Sequence, residues 1–390
     1  MSVLIDAAET LVATSDGALR PSKPTDPLKA ARAPVAPVRV GMVTLATPFV
    51  VAPMAGMTDS AFRRLVKRQG GCGLVVTEMV SADGLVRGID RTLEYAEYTE
   101  EERPVSIQIF GGDPAKMADA AQIVEGLGAD IVDVNMGCPV RKIAKHNAGC
   151  TLMREPDNAA AIIEAMAKAV KIPVTVKMRA GWNDRERNAP ELARRVADAG
   201  AAAVTVHGRT AEQSYSGTAD WDLVRLVRDA VDIPVFGSGD CVEPLQILER
   251  LGGGVDGVLV GRGVLRNPWI LAQTADAMAG RPAREVSLEE RGQFLLDYIE
   301  LLLREGEAEA AGFRHVAHGA ARDTYRNREK WVVNKIRALC SWYTKGLEGG
   351  AGLRVRVNVA SDLPALRDAL ARYFVSDVPS ALRRNSPWTA

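Results

Sequence analysis

From Pro48 onward the chain alternates two hydrophobic patterns. Short apolar runs bounded by glycine or proline are followed by longer stretches in which apolar residues recur every third or fourth position. The short runs predict strands at Phe49–Ala52, Leu74–Met79, Val105–Phe110, Ile131–Asn135, Val174–Met178, Ala203–Val206, Val235–Phe236 and Gly257–Val260. The longer stretches predict helices between them. One is capped by Thr58 or Asp59 and runs to Gln69, and one opens on Asp113-Pro114 and runs to about Gly126. Others cover Asp157–Val170, Pro190–Ala199, Trp221–Val231 and Glu243–Leu251, and a last one starts near Asn267-Pro268. Short loops between alternating strands and helices mean a parallel sheet. Eight such units over about 230 residues fit a closed (β/α)8 TIM barrel. A doubly wound open sheet competes, but no GxGxxG turn follows the first strand.

The rhythm is absent on both sides. Residues 1–40 carry Pro21, Pro24, Pro27, Pro34 and Pro37, too closely spaced for a long helix, and read as a disordered Ala/Pro-rich leader with a brief helix near Leu4–Val12. After Gly280-Arg281-Pro282 the strands stop. Ser287-Leu288-Glu289-Glu290 is a capping box, and further helices are predicted at Phe313–Arg326, Lys330–Thr344 and Leu363–Phe374. The expected domains are thus a leader (1–40), a catalytic barrel (41–280), a small C-terminal helical bundle (281–375) and a flexible tail (376–390).

Composition narrows the class. Hydrophobic content of 47% and charged content of 25% are those of a soluble globular protein. Five cysteines form no CxxC pair and four histidines are scattered, so neither a metal site nor a disulfide framework is expected, and a reducing cytoplasm is the expected compartment. No apolar run reaches the roughly 20 residues of a membrane span. The acids Asp6, Glu9 and Asp16 argue against a signal peptide. A monomer is expected. Net charge is zero, which leaves room for a local basic patch.

In a closed barrel the carboxyl ends of all strands converge on one mouth. Here those ends bring Met54-Ala55, Glu78, Gln108, Asn135 with Cys138, Lys177 with Arg179, His207 with Arg209, Ser238-Gly239-Asp240 and Gly261-Arg262. Singly, each has a structural explanation: a buried thiol, a lysine on a solvated lip, a core imidazole. A scaffold barrel has no reason to gather them all. Gly237-Ser238-Gly239-Asp240 and Gly261-Arg262-Gly263 follow strands seven and eight, the usual phosphate site of these barrels, and Arg262 adds a charged donor. An amide at Gln108 can pair with the edge of a planar heterocycle, and a cation at Lys177 can stabilise negative charge on it. Phosphate and heterocycle together point to FMN.

These motifs carry a resemblance. Ala52-Pro53-Met54-Ala55-Gly56-Met57-Thr58-Asp59, Gln108-Ile109-Phe110-Gly111, Asn135-Met136-Gly137-Cys138-Pro139, Ala148-Gly149-Cys150, Val176-Lys177-Met178-Arg179, His207-Gly208-Arg209-Thr210 and Gly261-Arg262 occur in order at successive strand ends. The run from about Val51 to Leu271 resembles the tRNA-dihydrouridine synthases, closest to the bacterial B subfamily. The resemblance implies an FMN enzyme that reduces the C5–C6 double bond of particular uridines in tRNA, with NADPH as reductant. Hydride would pass from flavin N5 to C6, and Cys138 would be the general acid that protonates C5. Pro53, Met54, Ala55, Gln108, Lys177, His207, Ser238, Gly239, Asp240, Gly261 and Arg262 match cofactor positions. Asn135, Arg179 and His207 match positions near the flavin and the target base, and Arg209 is a further candidate substrate contact. The chain departs from the family at Ser238, where asparagine is usual, and at Ala338-Leu339, where the family often has Lys-His.

Between Arg314 and Arg356 ten basic residues face three acidic ones, interleaved with Tyr325, Trp331, Trp342 and Tyr343. Such a surface suits phosphates and bases, with Arg322, Arg326 and Arg337 as candidate tRNA contacts. The resemblance gives the helical domain the same role. Two other readings compete: an FMN barrel oxidoreductase acting on a small pyrimidine of the dihydroorotate type, and a non-catalytic RNA-binding protein. The basic helical region disfavours the first, and intact Cys138, Lys177 and His207 disfavour the second.

Overall fold

The computed structural model describes residues 11–13, 19–21, 37–144, 147–304, 312–316 and 328–375. Eight parallel strands form its centre: β1 (Phe49–Val51), β2 (Leu74–Val76), β3 (Val105–Phe110), β4 (Ile131–Met136), β5 (Val174–Arg179), β6 (Ala203–His207), β7 (Val235–Ser238) and β8 (Gly257–Val260). Each pairs with the next, and β8 pairs with β1, so the sheet closes into the expected (β/α)8 barrel. The helices on its outside are α1 (Ser60–Gln69), α2 (Ala82–Val86), α3 (Pro114–Gly126), α4 (Pro156–Ala169), α5 (Ala189–Asp198), α6 (Trp221–Asp229), α7 (Pro244–Gly252) and α8 (Ile270–Met278).

Local chemistry sets the helix starts. Asp59, Asp113 and Asp220 each accept backbone N–H groups of the first turn of α1, α3 and α6, and Pro114 supplies the pre-set φ at the first position of α3. Alternation along the strands divides the barrel into two environments. Residues such as Val51, Val75, Val132, Val134, Val176, Val204 and Val258 face outward and pack against the helices. Val50, Leu74, Ile131, Ala203, Phe236 and Leu259 face inward at the amino-terminal end. There they meet Val38, Val40 and Leu45 of a hairpin (Val38–Val40 with Val43–Leu45) that plugs the floor. Apolar packing thus seals one end and leaves the polar inward positions at the other.

Four helices follow the barrel: α9 (Leu288–Arg304), α10 (Arg328–Tyr343), α11 (Gly350–Val359) and α12 (Leu363–Phe374). They share one apolar core with the barrel's outer layer. Phe294 and Tyr298 of α9 meet Phe62 of α1 edge-on at 6.2 and 6.0 Å between ring centres.

Several segments differ from the expectations. Of the helix expected near Leu4–Val12, residues 4–10 lie outside the described residues, and Leu11–Ala13 is a strand paired with Leu19–Pro21. Arg314–His315 does not open a helix but pairs as a short strand with Tyr98–Thr99; 317–327 lie outside the described residues, as does the tail. The floor hairpin begins inside the segment assigned to the leader. Helix α11 was not expected at all. No described helix is long and apolar enough to cross a membrane.

Candidate active site

Register carries the inward polar side chains to neighbouring places at the mouth. Gln108 sits opposite Asp133, Asn135 opposite Lys177, Arg179 opposite His207, and His207 opposite Ser238. The loop after β4 carries the thiol. Asn135 Oδ1 accepts from the backbone N–H groups of Gly137 (3.1 Å) and Cys138 (2.9 Å). Arg179 Nε donates to the Gly137 carbonyl at 2.8 Å, and the Cys150 N–H to the Cys138 carbonyl at 3.0 Å. Main-chain contacts therefore aim Cys138, and its side chain is half-buried.

A buried acid lies below. Asp133 accepts from Gln108 Nε2 at 2.7 Å and from Thr175 Oγ1 at 2.6 Å, and Asn135 Nδ2 donates to Gln108 Oε1 at 2.8 Å. Burial raises the Asp133 carboxyl above the usual carboxylate range. Gln108 is thereby oriented, and keeps one amide hydrogen and one carbonyl lone pair for a ligand. Lys177 and Asp133 line a small cavity beneath, together with Ser106, Thr175 and Thr205.

Burial lowers the Lys177 ammonium to about 8, and the Arg179 charge pushes in the same direction. Burial, then Lys177, Arg179, Arg209 and Arg262, lowers the His207 imidazole to about 2. His207 is thus a neutral ring in a cationic site. Its linkage has a definite sign: below the ordinary value of 6.5 the unfolded chain takes up a proton that the fold refuses until about 2. Stability is therefore lost as pH falls, by about 2 kcal/mol from this group between pH 7 and 5. The urea midpoint of His207→Leu apoprotein is expected to fall less over that interval than the wild type's. Equal falls would remove the assignment.

The loops after β7 and β8, expected to take a phosphate, are sterically defined. Gly239 has φ +131°, and a Cβ there would stand 2.4 Å from Ala219 Cβ. Asp240 is left-handed at φ +53°. Its carboxylate takes Arg209 Nη2 at 2.8 and 2.9 Å and Arg262 Nη2 at 3.3 Å. A Cβ on Gly261 would make ordinary contact at 3.6 Å with Ala52 Cβ and Met54 Sδ, which places the β8 and β1 loops side by side. Ser238 is buried.

Not every expected residue faces a ligand. Arg209 is only 2% exposed and, besides Asp240, holds the carbonyls of Ser216 and Gly217, so it braces the β6 loop. Arg337 donates to the Val357 and Ala360 carbonyls and ties α10 to the end of α11. Leu339, one of the two positions where the chain departs from the family's usual Lys-His, is in the core. Arg322 and Arg326 lie outside the described residues. Conversely, two mouth residues went unmarked in the sequence. Tyr215 lies under the guanidinium groups of Arg179 and Arg262, 5.8 and 5.3 Å from its ring centre, and nothing in its surroundings in sequence signals this. Asp133 is found by the strand period, two residues before Asn135 on the same face. Among the described residues no three metal-ligating side chains cluster.

Comparison with known proteins places this geometry in a family. The family model "Dihydrouridine synthase (Dus)" matches residues 50–363. A "Probable tRNA-dihydrouridine synthase" of Rickettsia prowazekii is 37% identical over 343 residues, covering 87% of this chain and 98% of that protein. One from Rhodobacter capsulatus is 42% identical, over 68% of this chain and 83% of that protein. The "tRNA-dihydrouridine synthase B" of Xanthomonas campestris is 36% identical, over 88% and 99%. With a matching family model over most of its length and relatives aligned almost end to end, the chain belongs to the dihydrouridine synthase family and is of the bacterial B kind.

Proposed function

We propose that this enzyme reduces the C5–C6 double bond of specific uridines in tRNA, with FMN as its resident cofactor and NADPH as reductant. The observation that carries the reading is the Cys138 thiol, held by main-chain contacts at a mouth rich in cations. The residues present fit a phosphorylated heterocycle. Lys177, Arg179, Arg209 and Arg262 outweigh Asp240, the Gly239 position excludes a side chain, and Gln108 retains a donor and an acceptor on one amide. Arg262, Gly239, Asp240 and Gly261 would hold the phosphate, with Asp240 positioning Arg262. Pro53, Met54, Ala55, Gln108, Lys177, His207 and Ser238 would surround the ring system.

FMN, when bound, would supply hydride chemistry for uridine C6. The chain supplies the proton: Cys138 Sγ–H gives it to C5, where negative charge develops, and the thiolate recovers a proton from solvent. Asn135 and Arg179 keep the thiol aimed, and Lys177 would favour negative charge on the bound ring system. The base has to leave its stack to reach this mouth. Phosphates of the surrounding RNA would meet the basic C-terminal helices, where the Lys345 ammonium sits 3.9 Å from the centre of the Trp342 ring.

The test is dihydrouridine mapping on tRNA from a host that lacks the modification and expresses this protein. Dihydrouridine at one or a few positions is the expected result. A soluble, flavin-loaded protein that leaves the tRNA unmodified would overturn the tRNA assignment and favour a small pyrimidine.

A further inference from the structure

Lys335 stands on α10, outside the barrel, yet its ammonium reaches the barrel's mouth. Nζ donates to the Gly56 carbonyl at 3.0 Å, pairs with Asp59 Oδ2 at 2.9 Å and lies 3.8 Å from Glu78 Oε1. The Trp331 ring, 5.4 Å away on the same helix, flanks it. All three charged side chains are largely buried, at 14% exposure for Lys335, 11% for Asp59 and 7% for Glu78. Each carboxylate also serves the turn after β1. Glu78 Oε2 accepts the Gly56 N–H at 2.5 Å, while Asp59 caps α1 and accepts the Tyr298 hydroxyl at 2.7 Å. The two backbone groups of Gly56, a residue at φ +77°, are thus held by one ion cluster.

That turn is stiff within itself, because Met54 O accepts from the Met57 and Thr58 N–H groups and Met54 N–H donates to Thr58 Oγ1. Arg63 Nη1 holds its far end through the Thr58 carbonyl at 2.7 Å, and the cluster holds its middle at Gly56. We propose that Lys335 is a positioning residue for the cofactor site: through it the C-terminal helices fix the turn bearing Pro53, Met54 and Ala55 and so set the affinity for FMN. This rests on the flavin reading above. The physical cause is charge compensation. Without the ammonium, two buried carboxylates face each other and a carbonyl loses its donor, and the turn relieves both by moving outward. Lys335 belongs to the basic stretch that the sequence assigns to RNA, but its charge is spent inside the molecule.

Lys335→Met in the full chain keeps the apolar stem and deletes the charge. Two readouts are expected to change together. Backbone amides of residues 54–58 in the apoprotein exchange hydrogen about tenfold faster. The dissociation constant for FMN, from quenching of flavin fluorescence, rises about tenfold. Lys335→Arg is expected to restore both to within a few-fold, and Glu329→Gln, an exposed change on the same helix, to move neither. Unchanged exchange in Lys335→Met overturns the clamp. Faster exchange with FMN affinity within about twofold of wild type overturns its coupling to the cofactor. Faster exchange in a protein whose wild type takes up no FMN supports the clamp and removes the flavin reading instead.

Discussion

Cys138→Ala is expected to keep its FMN and to lose uridine reduction by a factor of about 10² to 10⁴, the range that a positioned proton donor contributes. The substitution isolates the proton because, among the described residues, the contacts that hold the loop run through backbone groups of Gly137 and Cys138 and not through the thiol. The loop is held by the Cys138 N–H on Asn135, the Gly137 carbonyl on Arg179 and the Cys138 carbonyl on the Cys150 N–H, and alanine preserves all three. Flavin uptake and the urea midpoint should therefore match the wild type, while oxidation of the pre-reduced enzyme by tRNA slows. Flavin absorbance after rapid mixing follows that step in a single turnover. An oxidation rate within about threefold of wild type would remove Cys138 from the chemistry. Loss of FMN together with activity would show that the side chain holds the site together.

The barrel was legible because its signals are local and agree with one another. Apolar runs bounded by Gly or Pro, an aspartate or proline at helix starts and a repeated strand–helix order all describe the same architecture, and the strand ends then bring Cys138, Lys177 and His207 to one place. Side-chain commitments were not legible in the same way. Arg179 and Arg209 both look like ligand contacts from their position at strand ends, yet each binds several backbone carbonyls of adjoining loops. A guanidinium has five donors, and its partners depend on loop paths that no periodicity encodes. The missed helix α11 has a related cause. Arg354-Val355-Arg356-Val357-Asn358-Val359 alternates like a strand, but tertiary packing buries Leu353 and Val357 and leaves Val355 and Val359 exposed. Lys335 shows the limit most clearly, because the carboxylates that receive it lie more than 250 residues away in the chain.

Glu102→Ala is expected to destabilise the fold by about 3 to 5 kcal/mol, the cost of breaking a buried ion pair from one side. Glu102 is 0% exposed and its partner Arg63 1%. Arg63 Nε donates to Glu102 Oε2 at 2.5 Å, and its other nitrogens donate to the Thr58 carbonyl (2.7 Å) and the Glu97 carbonyl (3.0 Å). Glu102 Oε1 accepts from Ser60 Oγ at 2.6 Å and from the Thr99 N–H at 2.9 Å. Each guanidinium nitrogen of Arg63 thus has an acceptor, which is the condition under which buried charges are tolerated. Alanine leaves the guanidinium without its counter-charge and strands the Ser60 hydroxyl and the Thr99 N–H. The double variant Arg63→Met, Glu102→Leu removes both charges and is expected to recover a large part of the loss, since an apolar pair carries no desolvation penalty. Urea unfolding of the three proteins measures this directly, and a Glu102→Ala midpoint equal to wild type would mean that the pair contributes nothing. The consequence reaches the mouth: Arg63 also holds the Thr58 carbonyl in the β1–α1 turn, so Glu102→Ala protein that remains folded should bind FMN more weakly, although Glu102 itself pairs with Ser60 and Arg63 of α1.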